Sequence, residues 1–355
     1  MLNELKVMLK ETQNSEGPKI SIYLPTSRML PESQQDAIAF KNLIQDVQLQ
    51  LQEKYNRRVW EPIISKLDQL QRDSLFWSHS KDGLAVFADE KIFETFRVPQ
   101  SFEQKAIVQN NFFIAPLLDI TIIQGDYLID LSKDRLKIYE IEGTKARVLE
   151  QDQIKTSFPD LFDDFDSNSN VNFGSYKGKT KSTFHGHRAR PEEQEKDRQK
   201  YFHYIDQQLT KLVKVNEPHV ILAGTADTVS QFQHVARGKF YFEKTIEKPF
   251  EALNHKEQEQ AVTDILKPYI KSLEEAEINN YGFQKSRDKV VFEPEKILEY
   301  AEQGQVAQII ISKKYSAKAE EKMNEIIAKA IQTDATVHLA DEDRFKDRLA
   351  AVLRF

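Results

Sequence analysis

Five cations fall within the fourteen residues from Lys177 to Arg190: Lys177, Lys179, Lys181, Arg188 and Arg190, with no acid among them. Small residues separate them, and Gly186 lies between His185 and His187. A cationic strip of this kind can follow an RNA backbone by neutralising phosphates. If all five did so, affinity would fall roughly 10²–10³-fold between ~50 and ~200 mM salt. Phe173, Tyr176 and Phe184 supply flat rings of the type that stacks on unpaired bases. The same composition also fits a solvated loop that touches nothing. His185 and His187 carry the side chain suited to proton transfer at neutral pH, which makes them candidate catalytic residues for ester chemistry. They read equally as RNA contacts or as merely exposed. Gly186 fits a tight tip where backbone approaches a partner.

Other constellations carry less. A metal centre needs three or four converging ligands, and His-x-His with His203 further along does not supply them, so no metal and no cofactor is expected. The acidic run Asp160, Asp163, Asp164 and Asp166 can bind a cation or tie down the basic loop, but a solvated linker is the plainer reading. Ala223-Gly224-Thr225-Ala226-Asp227 follows a strand as a phosphate turn would, yet it lacks the Gly-x-Gly-x-x-Gly spacing. It reads as a strand-to-helix turn capped by Thr225 or Asp227. No Ser-His-Asp set can be assembled from the sequence.

The loop must be held by something. Residues 152–190 show no periodicity, which is long for a connection inside a compact domain. Pro191 then opens a long helix, with Glu192, Glu193 and Glu195 at its positive end. Tyr201, Ile205, Leu209 and Leu212 make its buried stripe. Before the loop, YLIDLS, RLKIYEIE and KARVLE form a three-strand meander turning at Lys133-Asp134 and Gly143-Thr144. After the helix comes the strand HVILAG, so a β-α-β crossover and a mixed sheet are expected.

On either side lie two further blocks. Residues 1–115 read as an α+β unit: a helix to about residue 15, the strand ISIYLP, a helix from Pro31 to about Tyr55, a helix from Trp60 to Arg72, and the strands GLAVFA and IFETFRVP around Asp89-Glu90. From residue 256 onward a helix to about Ile278 is followed by EPEKILEYAEQG with Gly304 at its C-terminal end. The strand VAQIIIS, a helix from Ser316 to Gln332 and the strand ATVHLA complete an α/β/α arrangement. The predicted domains are 1–115, 116–255 with a tip loop at 152–190, and 256–355.

The chain has 355 residues, 40% apolar and 30% charged, with a net charge of -6. That excludes a generally basic nucleic-acid coat but not a local patch. There is no cysteine, which removes disulfides and thiolate chemistry. The N-terminal MLNELKVMLKETQ lacks the order of a signal peptide, and no apolar run is long enough to span a membrane. A cytoplasmic location and no membrane partner are therefore expected, and no DNA partner.

In its order of parts the chain resembles the bacterial branch of the archaeo-eukaryotic class I release factors, relatives of Pelota. ISIYLPT, PLLDI with the two strands after it, STFHGHRARPEEQEKDRQKYFHYIDQQL and VVFEPEKILEYAEQGQVAQIIIS carry the resemblance. It implies a middle domain of RNase H-like topology and a C-terminal domain like kink-turn-binding ribosomal proteins. The partners it implies are the ribosome, with its rRNA and tRNA, and a translational GTPase. It also marks a departure: where such factors carry Gly-Gly-Gln, this tip reads His185-Gly186-His187-Arg188, and no Asn-Ile-Lys-Ser motif is present. The expectation is a ribosome-binding factor in rescue or hibernation, with Lys177, Lys179, Lys181, His185, Gly186, His187, Arg188 and Arg190 on RNA. One alternative is a peptidyl-tRNA hydrolase using His185 or His187. A second is an RNA-binding regulator acting off the ribosome.

Overall fold

The computed structural model describes residues 2–12, 15–27, 32–118, 124–133, 135–151, 154–157, 189–213 and 217–355. The tip residues Lys177, Lys179, Lys181, His185, Gly186, His187 and Arg188 lie outside them. The chain is mixed α/β, with three four-stranded sheets among the described residues, and it forms two compact units. One comprises Met1–Ile122 with Ile270–Phe355, the other Ile123–Tyr269. The boundary between them runs through a single long helix.

In the first unit α1 (Leu2–Glu11) precedes β1 (Lys19–Pro25), α2 (Glu32–Lys54), α3 (Arg57–Arg72), α4 (Ser74–Ser78), β2 (Gly83–Ala88), β3 (Phe93–Val98), β4 (Lys105–Gln109) and α5 (Ala115–Leu118). The sheet order β3-β2-β1-β4 is antiparallel throughout. Its hairpin turns on Asp89, whose carboxylate accepts the amides of Lys91 (2.8 Å) and Ile92 (2.6 Å). The alternation of a strand sends Ile20, Ile22, Leu24, Leu84, Val86 and Ala88 onto one face, packed with residues of α2 and α3 such as Phe40, Val47 and Leu67. Tyr23, Ala85 and Phe87 go to the other face. Both faces are buried, which is why β1 and β2 read as nearly continuous apolar runs.

The second face is covered by α1 and by the C-terminal part of the same unit. That part takes over within α8 (His255–Lys285) and continues with β9 (Val290–Val291), α9 (Pro294–Glu302), β10 (Val306–Ser312), α10 (Lys313–Ser316), α11 (Glu321–Gln332), β11 (Thr336–Ala340) and β12 (Leu349–Leu353). (The labels for α6 and α7 and for β5–β8 belong to the second unit, below.) Its sheet runs β11-β10-β12-β9. Ile309, Ile311, Leu349 and Ala351 face α9 and α11, while Ile310, Ala350 and Val352 face Tyr281 and Ile278 of α8. The α/β/α layering read from the sequence is thus present. The expected first and third blocks keep separate sheets but share one core.

Several local expectations change, among them the first unit's strand β4, which the sequence reading lacks. The predicted helix from Ser316 to Gln332 is two helices, broken where Ala319 takes a φ of 54°. Alanine is the best helix former, so propensity gives no warning. What holds the break is polar: the Ala319 carbonyl accepts the Gln109 side-chain amide at 2.7 Å, and Asn324 donates to the Gln109 side-chain oxygen at 2.7 Å. The terminal strand β12, absent from the sequence reading, lies beside β10 in the sheet centre.

In the second unit β5 (Gln124–Leu131), β6 (Leu136–Glu142) and β7 (Lys145–Val148) form the expected antiparallel meander. Then α6 (Ala189–Leu212) leads to β8 (Val220–Gly224), which pairs with β5 in parallel. The mixed sheet is β7-β6-β5-β8. After α7 (Ala226–Val235), residues 240–248 run along the free side of β8 through isolated bridges at Tyr241 and Ile246. Gly224 closes β8 at a φ of 145°, where an added Cβ would lie 2.5 Å from the Leu131 carbonyl oxygen, so only glycine fits.

Substituting Gln109 by alanine leaves the buried Asn324 amide and the Ala319 carbonyl only their long 3.4 Å contact with one another. A loss of about 1–3 kcal/mol is expected as a lower midpoint in urea unfolding of the full chain. An unchanged midpoint would show that this seam contributes nothing.

Candidate functional site

Arg190 is the one residue of the predicted basic set within the described residues, in the first turn of α6. Phe173, Tyr176, Phe184 and the acidic run Asp160–Asp166 also fall outside them. The structure therefore defines the platform on which the segment 158–188 is mounted.

The chain enters that segment under firm control. Gln151 clamps the turn ahead of it: its side-chain oxygen accepts the Ile154 amide at 2.7 Å and its side-chain nitrogen donates to the Ile154 carbonyl at 3.1 Å. Ile154 is buried in the core. The Leu136 amide donates to the Thr156 carbonyl at 2.8 Å, and Ser157 bridges to Arg135 beside β6. The Lys155 amide donates to the Tyr204 hydroxyl at 3.0 Å, so the incoming strand is pinned to the helix that receives the segment at its other end.

That helix is held by one face. Tyr201, Ile205 and Leu209 are buried as the sequence predicts, with Phe202 and Val213 beside them, and Leu212 is half-buried. Phe202 meets Phe232 of α7 edge-on, with ring centroids 5.5 Å apart. His203 is exposed on the outer side of α6. In its first half Arg198 pairs with Glu195, and Lys200 with Asp197 at 2.8 Å.

Sequence reading missed the polar ties. Asp206 is buried on the face of Phe202, Leu209 and Val213. Its carboxylate accepts the amides of Arg237 (3.1 Å) and Gly238 (3.3 Å) and the Tyr241 hydroxyl (2.7 Å). Burial, reinforced by Asp206, pushes the Tyr241 phenol far above its ordinary range, so it remains a donor. On β5, Asp126 faces His219 Nδ1 at 2.6 Å, and burial raises its carboxyl against the opposing pull of His219. Asp130 accepts the Glu251 amide at 3.1 Å and is likewise raised by burial. Burial, with Asp130 and Glu251 nearby, pushes Tyr139 up to about 12. The available signal was an acid inside an apolar stripe: Asp130 within YLIDLS, and Asp206 four residues after Phe202.

These groups fasten elements, and among them Asp130 keeps one buried oxygen, Oδ1, without a hydrogen-bond partner. Among the described residues no three His, Cys, Asp or Glu side chains come together in a metal-binding group. The Ala223–Asp227 turn is a capped helix start, with Thr225 accepting the Thr228 amide at 3.4 Å. No helix among the described residues is long and apolar enough to cross a membrane.

Asp130 supplies a pH test. Its carboxyl titrates higher when folded than when unfolded, so between those two values the folded state holds the proton more tightly. Its contribution therefore falls as pH rises through that window and is fully unfavourable above it. Asp130→Asn, which keeps an oxygen for the Glu251 amide, is expected to raise the urea midpoint at neutral pH. The gain should fade as pH drops below the ordinary carboxylate range. A gain independent of pH would refute this account.

The comparisons with known proteins bear on this platform. Residues 124–272 match the model of bacterial archaeo-eukaryotic release factor family 8. No curated protein matches the chain. Among solved structures, the archaeal translation termination factor aRF1 is similar at 17% identity and a TM-score of 0.24, covering 100% of this chain and 98% of that one. Archaeal Pelota, from a model of its ribosome-bound form with ABCE1, is similar at 10% identity and a TM-score of 0.41, covering 100% and 94%. Dom34 of S. cerevisiae, a translation termination-like factor, is similar at 12% identity and a TM-score of 0.32, covering 77% and 74%. The sheet, the loop anchors and α6 all fall within residues 124–272, the part of the chain similar to bacterial archaeo-eukaryotic release factor family 8.

Proposed function

We propose that the chain is a ribosome-binding translation factor of the release-factor and Pelota type, acting in ribosome rescue or hibernation. The observation that carries this is the family match across the unit that anchors the entry to segment 158–188 and carries the helix leaving it. Lys177, Lys179, Lys181, Arg188 and Arg190 are its phosphate contacts, and His185, Gly186 and His187 form the tip that meets rRNA or tRNA. The strand order β7-β6-β5-β8, with residues 240–248 on the outer side, supports an RNase H-like middle domain. The helices on both faces of β11-β10-β12-β9 support a C-terminal domain like kink-turn-binding ribosomal proteins. A translational GTPase is the further partner this reading implies, and the cytoplasm its place.

The tip lacks Gly-Gly-Gln, so the loop is taken as holding RNA rather than cleaving an ester. Purified ribosomes are expected to co-sediment the full chain at ~100 mM salt. Replacing Lys177, Lys179, Lys181, Arg188 and Arg190 together by alanine should abolish retention and flatten its salt dependence. Ribosomes that never retain the unaltered chain would end the translation reading.

A second measurement separates binding from catalysis. Ribosomes carrying labelled peptidyl-tRNA are expected to keep the ester intact when the chain is added. Peptide release that disappears in His185→Ala with His187→Ala would instead establish a hydrolase using a tip histidine.

A further inference from the structure

Beneath the edge of the C-terminal sheet lies a cavity of about 430 Å³. Every residue from Ala335 to Asp341 lines it in unbroken succession. Successive strand residues point to opposite faces, so an unbroken run can line one space only where that space lies along the strand's open side. β11 is the edge strand, paired on its other side with β10 in parallel. Among the described residues, the backbone of Thr336–Ala340 makes no backbone hydrogen bond beyond that pairing. A row of unpaired amides and carbonyls facing a cavity is a template for another strand.

The two walls differ. On one, α8 presents Glu274, Glu277 and Ile278; on the other stand Leu118 and Ile331, with Asn3 and Lys6 of α1. The cavity is lined by four carboxylates, Glu274, Glu277, Asp334 and Asp341, against the two cations Lys6 and Arg344. Both cations are already engaged, Lys6 with Asp334 and Arg344 with Glu274 at 3.2 Å. His338 adds no positive charge at neutral pH, because burial lowers its imidazole below the ordinary value, and its Nε2 is buried without a hydrogen-bond partner. The groove thus has a carboxylate-rich wall, a wall on which Leu118 and Ile331 stand beside the Lys6–Asp334 pair, and, among the described residues, an open strand edge between them.

We propose that this groove binds an extended segment of a partner protein as an added strand on β11, with alternate side chains basic toward Glu274 and Glu277 and apolar toward Leu118 and Ile331. Main-chain hydrogen bonds hold the segment, and the contrast between the walls sets its pattern. The proposal does not depend on the ribosome reading.

The probe is a fluorescent peptide of alternating lysine and valine, about seven residues long, enough to run along a five-residue strand at ~3.3 Å per residue. Anisotropy titration of the full chain is expected to show saturable binding. The glutamate–valine counterpart should bind at least ~10-fold more weakly, since charge complementarity selects partners. A lysine–valine peptide with proline at its centre should lose binding, because it lacks a main-chain donor. Glu277→Gln keeps an oxygen for the Gln308 amide, so the fold is retained, and the lysine peptide should weaken roughly 3–10-fold. Amide hydrogen exchange at residues 336–340 should slow on saturation. Three results overturn the proposal: no saturable binding, binding that leaves exchange at 336–340 unchanged, or protection that grows with protein concentration without peptide, which would assign the edge to a second copy of the chain.

Discussion

The burial of one face of α6 is the constraint on which the functional half of the molecule depends. Tyr201, Phe202, Ile205 and Leu209 are sunk into the middle core, and Asp206 on the same side grips the backbone of Arg237 and Gly238. Apolar burial alone sets how deeply a helix sits but permits sliding and rotation. A carboxylate with fixed amide partners removes that freedom, since misregistry would leave a buried charge unpaired. Tyr204 then ties the incoming strand to the same helix. The entry to the segment at Lys155 and the buried half of α6 that follows it are thereby tied to one another.

A different solution organises the other unit. Its first sheet has no solvated face: α2 and α3 cover one side, and α1 with the C-terminal helices covers the other. Such a sheet cannot keep its apolar side chains from water without both covers, so the first and last parts of the chain stabilise one another. The contact is not only oily. Gln109, Asn324 and the Ala319 carbonyl form a buried polar seam that specifies how the covers meet. Among the described residues the outer edge of β11 in the same unit remains open, bordered on one side by the carboxylates of Glu274 and Glu277.

Much of this was legible in the residues. Short apolar runs bounded by turn residues marked β1, β2 and β8, alternation marked β6, and the helical stripe marked α6, because these patterns lie in neighbouring residues whatever the element packs against. Gly143 and Gly304 marked their turns and adopt positive φ. The resemblance carried by YLIDLS, the loop-helix segment and their order is shown for residues 124–272. Other features were not legible. β12 reads as LAAVL, five residues with no alternation and both flanks polar, and only pairing with β10 makes it a strand. Asp126, Asp130 and Asp206 look like solvated acids until the fold brings His219, Glu251 and Tyr241 to them.

By itself, then, the sequence determined the local elements, the mixed sheet of the middle block, the cationic make-up of residues 177–190 and the absence of Gly-Gly-Gln at the tip. These follow from side-chain period, charge and residue identity, which are properties of neighbours along the chain. The tertiary structure decided that the first and last blocks share a core, that Ala319 breaks a helix, that buried acids lock α6 and β5, and that β11 lies at the edge of its sheet among the described residues. Each depends on residues far apart in sequence meeting in space, where burial and hydrogen-bond satisfaction override local preference.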